Sequence, residues 1–311
     1  MKAVIIEQYG GREQLVEKEV PNPVPENKQV VVEVRATSIN PIDWKLREGY
    51  LKDAVPFEFP IILGWDAAGV ITEVGEDVKD FSPGDRVFAR PDTTRFGTYA
   101  QYTAVDEHLL APLPEGVTFE EAAAVPLAGL TAWQCLVDFS DIKEGDRVLI
   151  HAGSGGVGHY AVQIAKHLGA YVAATASGKN REWVEKLGVD RFIDYKEEDF
   201  SEVLQDFDIV VDTLGGDIQE KSFQVLKEGG KLPSVVQPPD ETKAVEKNIK
   251  TGFVWLEPSG EQLSKLGKMM EEGTLKSVIG HELPFSQEGL REAHEISESH
   301  HAKGKIVITM K

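Results

Sequence analysis

The stretch DRVLIHAGSGGVGHYAVQIAKHLGAYVAATASGKNR, residues 146–181, decides the fold. Val148, Leu149 and Ile150 form a short apolar run suited to a buried parallel strand. The chain then turns through Gly153, Gly155 and Gly158, spaced as G-x-G-x-x-G. The first glycine permits a tight turn, the second lets the backbone approach a diphosphate, and the third lets a helix pack close against the strand. Val157, Ala161, Val162, Ile164, Ala165 and Leu168 follow at helical spacing, and residues 171–176 read as a second strand. A glycine turn at a helix N-terminus offers free N–H groups and the positive dipole end to an anion. Glycine turns also join strands to helices for packing alone, but strand, turn, helix and second strand in succession read as a dinucleotide site.

The tip of the second strand bears on which dinucleotide fits. An NAD site places Asp or Glu about 20 residues past the glycines to hold the ribose 2'-hydroxyl. This strand ends instead in Ser177, Gly178, Lys179, Asn180 and Arg181. A hydroxyl and one or two cations suit a 2'-phosphate, each charge-assisted hydrogen bond contributing about 1.5–3 kcal/mol. NADPH is therefore the expected cofactor. The alternative is that Lys179 and Arg181 are solvated residues opening the next helix, where cations oppose the helix dipole.

Outward from this segment, strand-like runs at 191–195, 208–216, 229–236 and 251–258 alternate with helical stretches, which predicts a six-stranded doubly wound sheet. Pro233 falls inside the fifth run and predicts a short or bulged strand, since proline donates no ladder hydrogen bond. Residues 1 to about 115 are β-rich instead, with runs at 2–6, 29–36, 68–74, 85–89 and 98–104 separated by Pro, Gly, Asn and Asp. After residue 258 come a helix at 259–272, a second helix with a turn, and a last strand in IVITM.

At 311 residues the chain exceeds one ordinary core, so two domains are expected. Its 33 Lys and Arg against 52 Asp and Glu give a net charge of −19, which repels phosphate backbones and anionic membranes. No nucleic-acid or membrane partner is expected. No apolar stretch approaches the roughly 18 residues of a membrane span, and no signal pattern opens the chain, so a cytoplasmic location is the expectation. The single cysteine, Cys135, lies in the apolar LAGLTAWQCLV and reads as buried packing. The eight histidines form no metal pattern, and His300 with His301 reads as an exposed helix end.

SINPIDWKLREG (38–49), ILGWDAAGVITEVGEDVKDFSPGDRV (62–87), PLAGLTAW (126–133), HAGSGGVG (151–158) and HAKGKIVI (301–308) stand in an order that resembles the medium-chain dehydrogenases/reductases. Within them the chain looks like the zinc-independent quinone and enone oxidoreductases, over nearly its whole length. The resemblance implies an α/β protein. A GroES-like β-rich catalytic domain would span 1–118, completed by 264–311, around a Rossmann NADPH-binding domain at 119–263, with the active site in the cleft between them. It implies NADPH-dependent hydride transfer to a quinone or α,β-unsaturated carbonyl, and a homodimer. Alternatives are one-electron quinone reduction and an NADPH-binding structural or regulatory protein with little turnover.

Zinc-dependent relatives carry a cysteine where this chain has Asn40, and Gly-His-Glu where it has Gly64-Trp65-Asp66. Asp66 alone cannot hold zinc, and no metal site is expected. The resemblance makes Asn40 a candidate to orient nicotinamide or donate to the substrate carbonyl, and Lys45 a candidate donor to the oxyanion or cofactor. Asp43 belongs to the same loop and reads equally as a helix-start residue. For the cofactor the family pattern implies Thr131, the loop Ala152, Gly153, Ser154, Gly155, Gly156 and Val157, then Ser177, Lys179, Tyr195, Leu214, Gly215 and Lys303. Phe253 and Trp255 fall where the sixth strand approaches nicotinamide, with contact to a partner chain the other reading.

Overall fold

The computed structural model describes residues 1–310 and divides the chain into two compact units. One comprises 1–128, 258–273 and 277–311; the other comprises 129–257 and 274–276. Residues 119–128 and 258–263, expected in the dinucleotide domain, therefore belong with the β-rich unit. The reasons are local. The helix Phe119–Ala123 carries Ala122 and Ala123 into the core, and its Glu121 carbonyl accepts the Ser277 hydroxyl at 2.7 Å. Gly260, at the start of the helix Gly260–Glu271, sits so close to the Leu110 carbonyl that a Cβ would lie 2.3 Å from it.

The dinucleotide unit carries the six-stranded sheet. Its strands are Arg147–Ile150, Tyr171–Ala176, Arg191–Asp194, Phe207–Val211, Leu226–Ser234 and Lys250–Phe253. Numbered by appearance, they lie side by side as 3-2-1-4-5-6, all parallel. This is the doubly wound order, whose switch point falls between the first and fourth strands. The core is built from Leu149, Ala173, Ile193, Val210 and Leu232 on successive strands. The fifth strand is nine residues long, contrary to the short strand that Pro233 predicted. Residue 233 faces the end of the fourth strand: its carbonyl accepts the N–H of Asp212, one position beyond Val211. N–H and C=O of one strand residue face the same side, so the proline leaves out a single rung near the end of this pairing, the one to the Val210 carbonyl, and the strand still runs to Ser234. A register shift does occur, nearer the start of that pairing, between Phe207 and Ile209.

In the β-rich unit the eleven-residue strand Gln29–Ile39 is central, pairing antiparallel with Ala67–Val74, Tyr102–Asp106 and Lys305–Thr309. Its β-branched run is buried almost throughout because it is flanked along its length. Pro41 ends it and opens the helix Pro41–Arg47, with Asn40 extended as a residue before proline must be. The strand predicted at 98–104 begins only at Tyr102, because Thr98 and Tyr99 donate instead to the carbonyls of Gly64 and Leu63. Ile279–Pro284, which the sequence reading left outside any strand, pairs parallel with Lys305–Thr309. It is an edge strand held by its backbone, so its side chains need no apolar alternation. Among the described residues no helix is long and apolar enough to cross a membrane.

Candidate active site

In the dinucleotide unit the chain leaves the first strand through His151 and Ala152 and enters the helix Gly156–His167 at Gly155. Ala152 has φ +49°, a left-handed conformation costly for a residue with a Cβ, and its carbonyl turns in to accept the Gly155 N–H. A Cβ on Gly158 would lie 2.1 Å from that same carbonyl, so the third glycine is obligatory. A Cβ on Gly153 would come within 2.8 Å of Ala174, which fixes how closely the turn lies against the second strand.

Buried His151 pins the turn. Ser222 Oγ already donates to the Ile218 carbonyl, so it accepts from His151 Nε2 at 2.9 Å. Thr175 Oγ1 accepts the Ala152 N–H and donates to His151 Nδ1, each at 3.2 Å. The ring is thereby neutral, and burial holds its pKa down at about 4.

At the tip of the second strand Ser177 is buried and Lys179 is exposed. Asn180 donates to Ser154 Oγ at 3.1 Å, tying the tip to the glycine turn. Arg181 is engaged elsewhere, stacked 4.4 Å over the Phe192 ring and paired with Glu185, so the tip presents one cation, Lys179, rather than two. A carboxylate does reach this tip, from the next strand: Asp194 lies against Gly178, where a Cβ would stand 2.1 Å from its Oδ2. The reading of the second strand alone missed it; register pairing Ala176 with Asp194 is the signal that places it. Tyr195, 57% exposed, follows at once.

The ends of the fourth, fifth and sixth strands are gathered by buried Asp212, which sequence reading did not single out. Its carboxylate accepts the N–H groups of Leu214 and Gly215, the Gln219 amide and the Ser234 hydroxyl, all within 3.0 Å. Gly215 has φ +71°, a conformation that glycine adopts freely. Thr213 Oγ1 ties this loop to the His151 carbonyl, and Ser234 accepts the Val254 N–H, which sets Phe253 and Trp255 beside it. These two rings lie 6.1 Å apart and are 40% and 51% exposed. Thr131 is buried on the helix Pro126–Trp133, and Cys135 is buried with its thiol pKa raised by desolvation, as packing required.

The β-rich unit holds a buried polar cluster. Asp66 is fully buried; its Oδ2 accepts Ser38 Oγ at 2.6 Å and Asn40 Nδ2 at 2.7 Å, and its Oδ1 accepts the Leu127 N–H at 2.7 Å. The Lys305 ammonium, also buried, donates to Asn40 Oδ1 and to the Ile39 carbonyl, and lies 3.6 Å from Asp66 Oδ2. Antiparallel register pairing Ile306 with Ile39 puts Lys305 next to Asn40.

Asp43, a candidate catalytic residue on sequence, is wholly buried, so the helix-start reading is the one the geometry carries. Its Oδ2 accepts the Asn40 N–H at 2.8 Å and the Tyr99 hydroxyl at 2.9 Å, while Oδ1 has no partner. Burial raises the Asp43 pKa to about 7. Behind Tyr99 stands His294, whose tautomer is fixed because Arg47 can only donate. Arg47 Nη1 gives to Nδ1 at 3.0 Å, so Nε2 carries the proton toward Tyr99 Oη at 3.1 Å. Lys45 is half-buried, with its ammonium 5.8 Å from the centre of the Trp44 ring. Lys303, a candidate on sequence, is exposed, whereas Lys305, two residues on and not a candidate on sequence, is buried and bonded to Asn40.

A doubly wound sheet with a glycine turn, joined in one chain to this β-rich unit, defines a dinucleotide-dependent oxidoreductase architecture. Residues 26–115 match the alcohol dehydrogenase GroES-like domain, and residues 187–308 match the family described as zinc-binding dehydrogenase. The chain is 37% identical to the NADPH-dependent alkenal/one oxidoreductase, chloroplastic, of Arabidopsis thaliana, across 99% of its own length and 79% of that protein's. It is 36% identical to the chloroplast envelope quinone oxidoreductase homolog of the same plant, covering 99% of this chain and 98% of the other. The solved structure of Escherichia coli quinone oxidoreductase complexed with NADPH superposes with a TM-score of 0.89 at 29% identity, over 99% of this chain and all of that one. The chain belongs to the medium-chain dehydrogenase/reductase family.

Proposed function

We propose that the protein is an NADPH-dependent reductase of quinones or α,β-unsaturated carbonyls that works without zinc. The observation that carries the cofactor half is the turn at 152–158, closed so tightly on the helix N-terminus that a Cβ on Gly158 would meet the Ala152 carbonyl, together with Lys179 exposed beside Ser177 at the adjoining tip. The turn's N–H groups would hold the diphosphate, and Lys179 with Ser177 the 2'-phosphate. NADPH, when bound, supplies a hydride. The protein orients the acceptor, excludes water and stabilises negative charge on its oxygen. Asn40 and Lys45 are the donors for that oxygen.

What supports the zinc-free reading is the donor set. Asn40 stands where zinc-dependent relatives carry a cysteine and Trp65-Asp66 where they carry His-Glu, and here Asn40 and Asp66 are hydrogen-bonded or paired to the Lys305 ammonium. A cation already neutralises the carboxylate, and Asn40 and Trp65 supply neither the thiolate nor the imidazole of those relatives. A homodimer is part of the proposal, with exposed Phe253 and Trp255 on and just beyond the edge strand supplying apolar surface for it.

The test is NADPH consumption with a panel of enones and quinones, with NADH and a chelator as controls. Turnover that prefers NADPH and ignores the chelator is expected. Binding of NADPH with no acceptor-dependent oxidation would leave a nucleotide-binding protein, and radical products would mark one-electron transfer.

A further inference from the structure

We propose that Lys305 is a positioning residue: its ammonium fixes the Asn40 side-chain amide in one orientation, leaving a single N–H directed to the oxygen of the acceptor. The inference rests on the reductase reading above.

An asparagine amide is nearly symmetric in shape, and its two ends exchange by a rotation unless the neighbours discriminate. Here they do. Lysine can only donate, so the atom it meets is Oδ1; an ionised aspartate can only accept, so the atom at 2.7 Å from Asp66 Oδ2 is Nδ2. A flipped amide would set NH2 against an ammonium and a carbonyl oxygen against a carboxylate, both repulsive in a site shut from water. The backbone of Asn40 is held as well, because its N–H is bound by Asp43 and its extended conformation is imposed by Pro41.

The hydrogen-bond inventory leaves one vacancy. The three Lys305 protons face the Ile39 carbonyl, Asn40 Oδ1 and Asp66 Oδ2. Asp66 accepts from Ser38, Asn40 and Leu127 besides. Of the two Nδ2 protons of Asn40, one goes to Asp66 and the other has no acceptor among the described residues. A lysine and an aspartate buried together gain little stability over apolar residues of like size, so stability alone does not account for the pair. A preorganised donor does: it is aligned before charge develops, and needs no reorientation when it does.

The experiment is a double-mutant cycle on the full chain with N40A, K305M and the double variant, reading kcat, acceptor KM and NADPH Kd on protein shown to be folded. N40A is expected to lower kcat about 100-fold, as loss of one such donor does. K305M is expected to lower kcat about 10-fold or more with NADPH Kd nearly unchanged, because the glycine turn and Lys179 belong to the other unit. In the N40A background K305M should add little further loss, since its effect passes through Asn40. Losses that multiply, or a K305M kcat equal to wild type, would overturn the proposal. If K305M is recovered unfolded, the cycle is run with K305R. That variant keeps the charge against Asp66 but replaces the compact ammonium with a planar fork, and the same non-additivity is expected. Failure of the wild type to reduce any enone or quinone would instead sink the reductase reading.

Discussion

The glycine turn at 152–158 and the Asn40–Asp66–Lys305 cluster treat polar groups in opposite ways. The turn belongs to a contiguous segment, and its helix N-terminus leaves backbone N–H groups free of helical partners, available to a ligand. The cluster is drawn from chain positions up to 265 residues apart, and nearly every donor and acceptor in it is satisfied internally. A ligand-binding element gains by leaving groups unpaired toward solvent; a buried charged element is stable only when it leaves almost none.

The contrast breaks most visibly at Asp66. D66A removes the acceptor for Ser38, Asn40 and Leu127 and leaves the Lys305 ammonium without its closest counter-charge. A loss of about 3–5 kcal/mol in urea unfolding is expected. A loss under about 1 kcal/mol would mean that water enters the cluster and that it is not a closed network.

In the open region the corresponding change is small in stability and large in affinity. K179A removes the one cation the tip presents, since Arg181 is held by Glu185 and Phe192. NADPH affinity should fall by roughly 10- to 100-fold, corresponding to about 1.5–3 kcal/mol, with NADH affinity unchanged. Equal losses for both nucleotides would place Lys179 on the diphosphate instead. Asp194 beside Gly178 sharpens the same point: D194N should strengthen NADPH binding by removing a like charge near the 2'-phosphate.

G158A lies between these cases. Its Cβ would meet the Ala152 carbonyl at 2.1 Å, a backbone atom that cannot swing aside. An expected cost of about 1–3 kcal/mol in stability should come with weaker binding of NADPH and NADH alike, which separates it from K179A in a titration of both nucleotides.

Much of the turn was legible because its information is local. Glycine spacing, an apolar strand and a helical period lie within one segment of 36 residues or fewer, and six parallel strands follow from alternation of the same kind. The cluster was legible only at one edge. Asn40, Asp43 and Asp66 drew notice through a family pattern, but what they touch depends on strand register and helix packing that no local window contains. Lys305 is the first residue of the wholly buried strand KIVIT, and a charged residue opening such a run is the signal that would have found it. His294 shares a helix face with Leu290 and Ala293 at core spacing, which marks it as buried, yet nothing local pairs it with Arg47 and Tyr99.

The last expected effect is a slope. Asp43 holds its proton to about pH 7 in the fold, against an ordinary value of 3.8, so its contribution to stability is full at low pH and is lost as pH rises from about 4 through about 7. His294 and His151 run the other way. Burial, and for His294 the nearby Arg47, lower them from 6.5 to about 3 and about 4, so their contribution is present above 6.5 and lost on acidification. In the wild type the two slopes oppose one another between about pH 4 and 6.5. D43N removes one of them while its amide oxygen can still accept from Asn40 and Tyr99 in place of Oδ2. Urea unfolding across that range should then show D43N losing stability on acidification more steeply than the wild type, and gaining on it as pH rises toward neutrality. A stability difference independent of pH would mean that Asp43 is already ionised at pH 5, held so by Lys305 and the Tyr99 hydroxyl, and that the cluster tolerates two carboxylates at once.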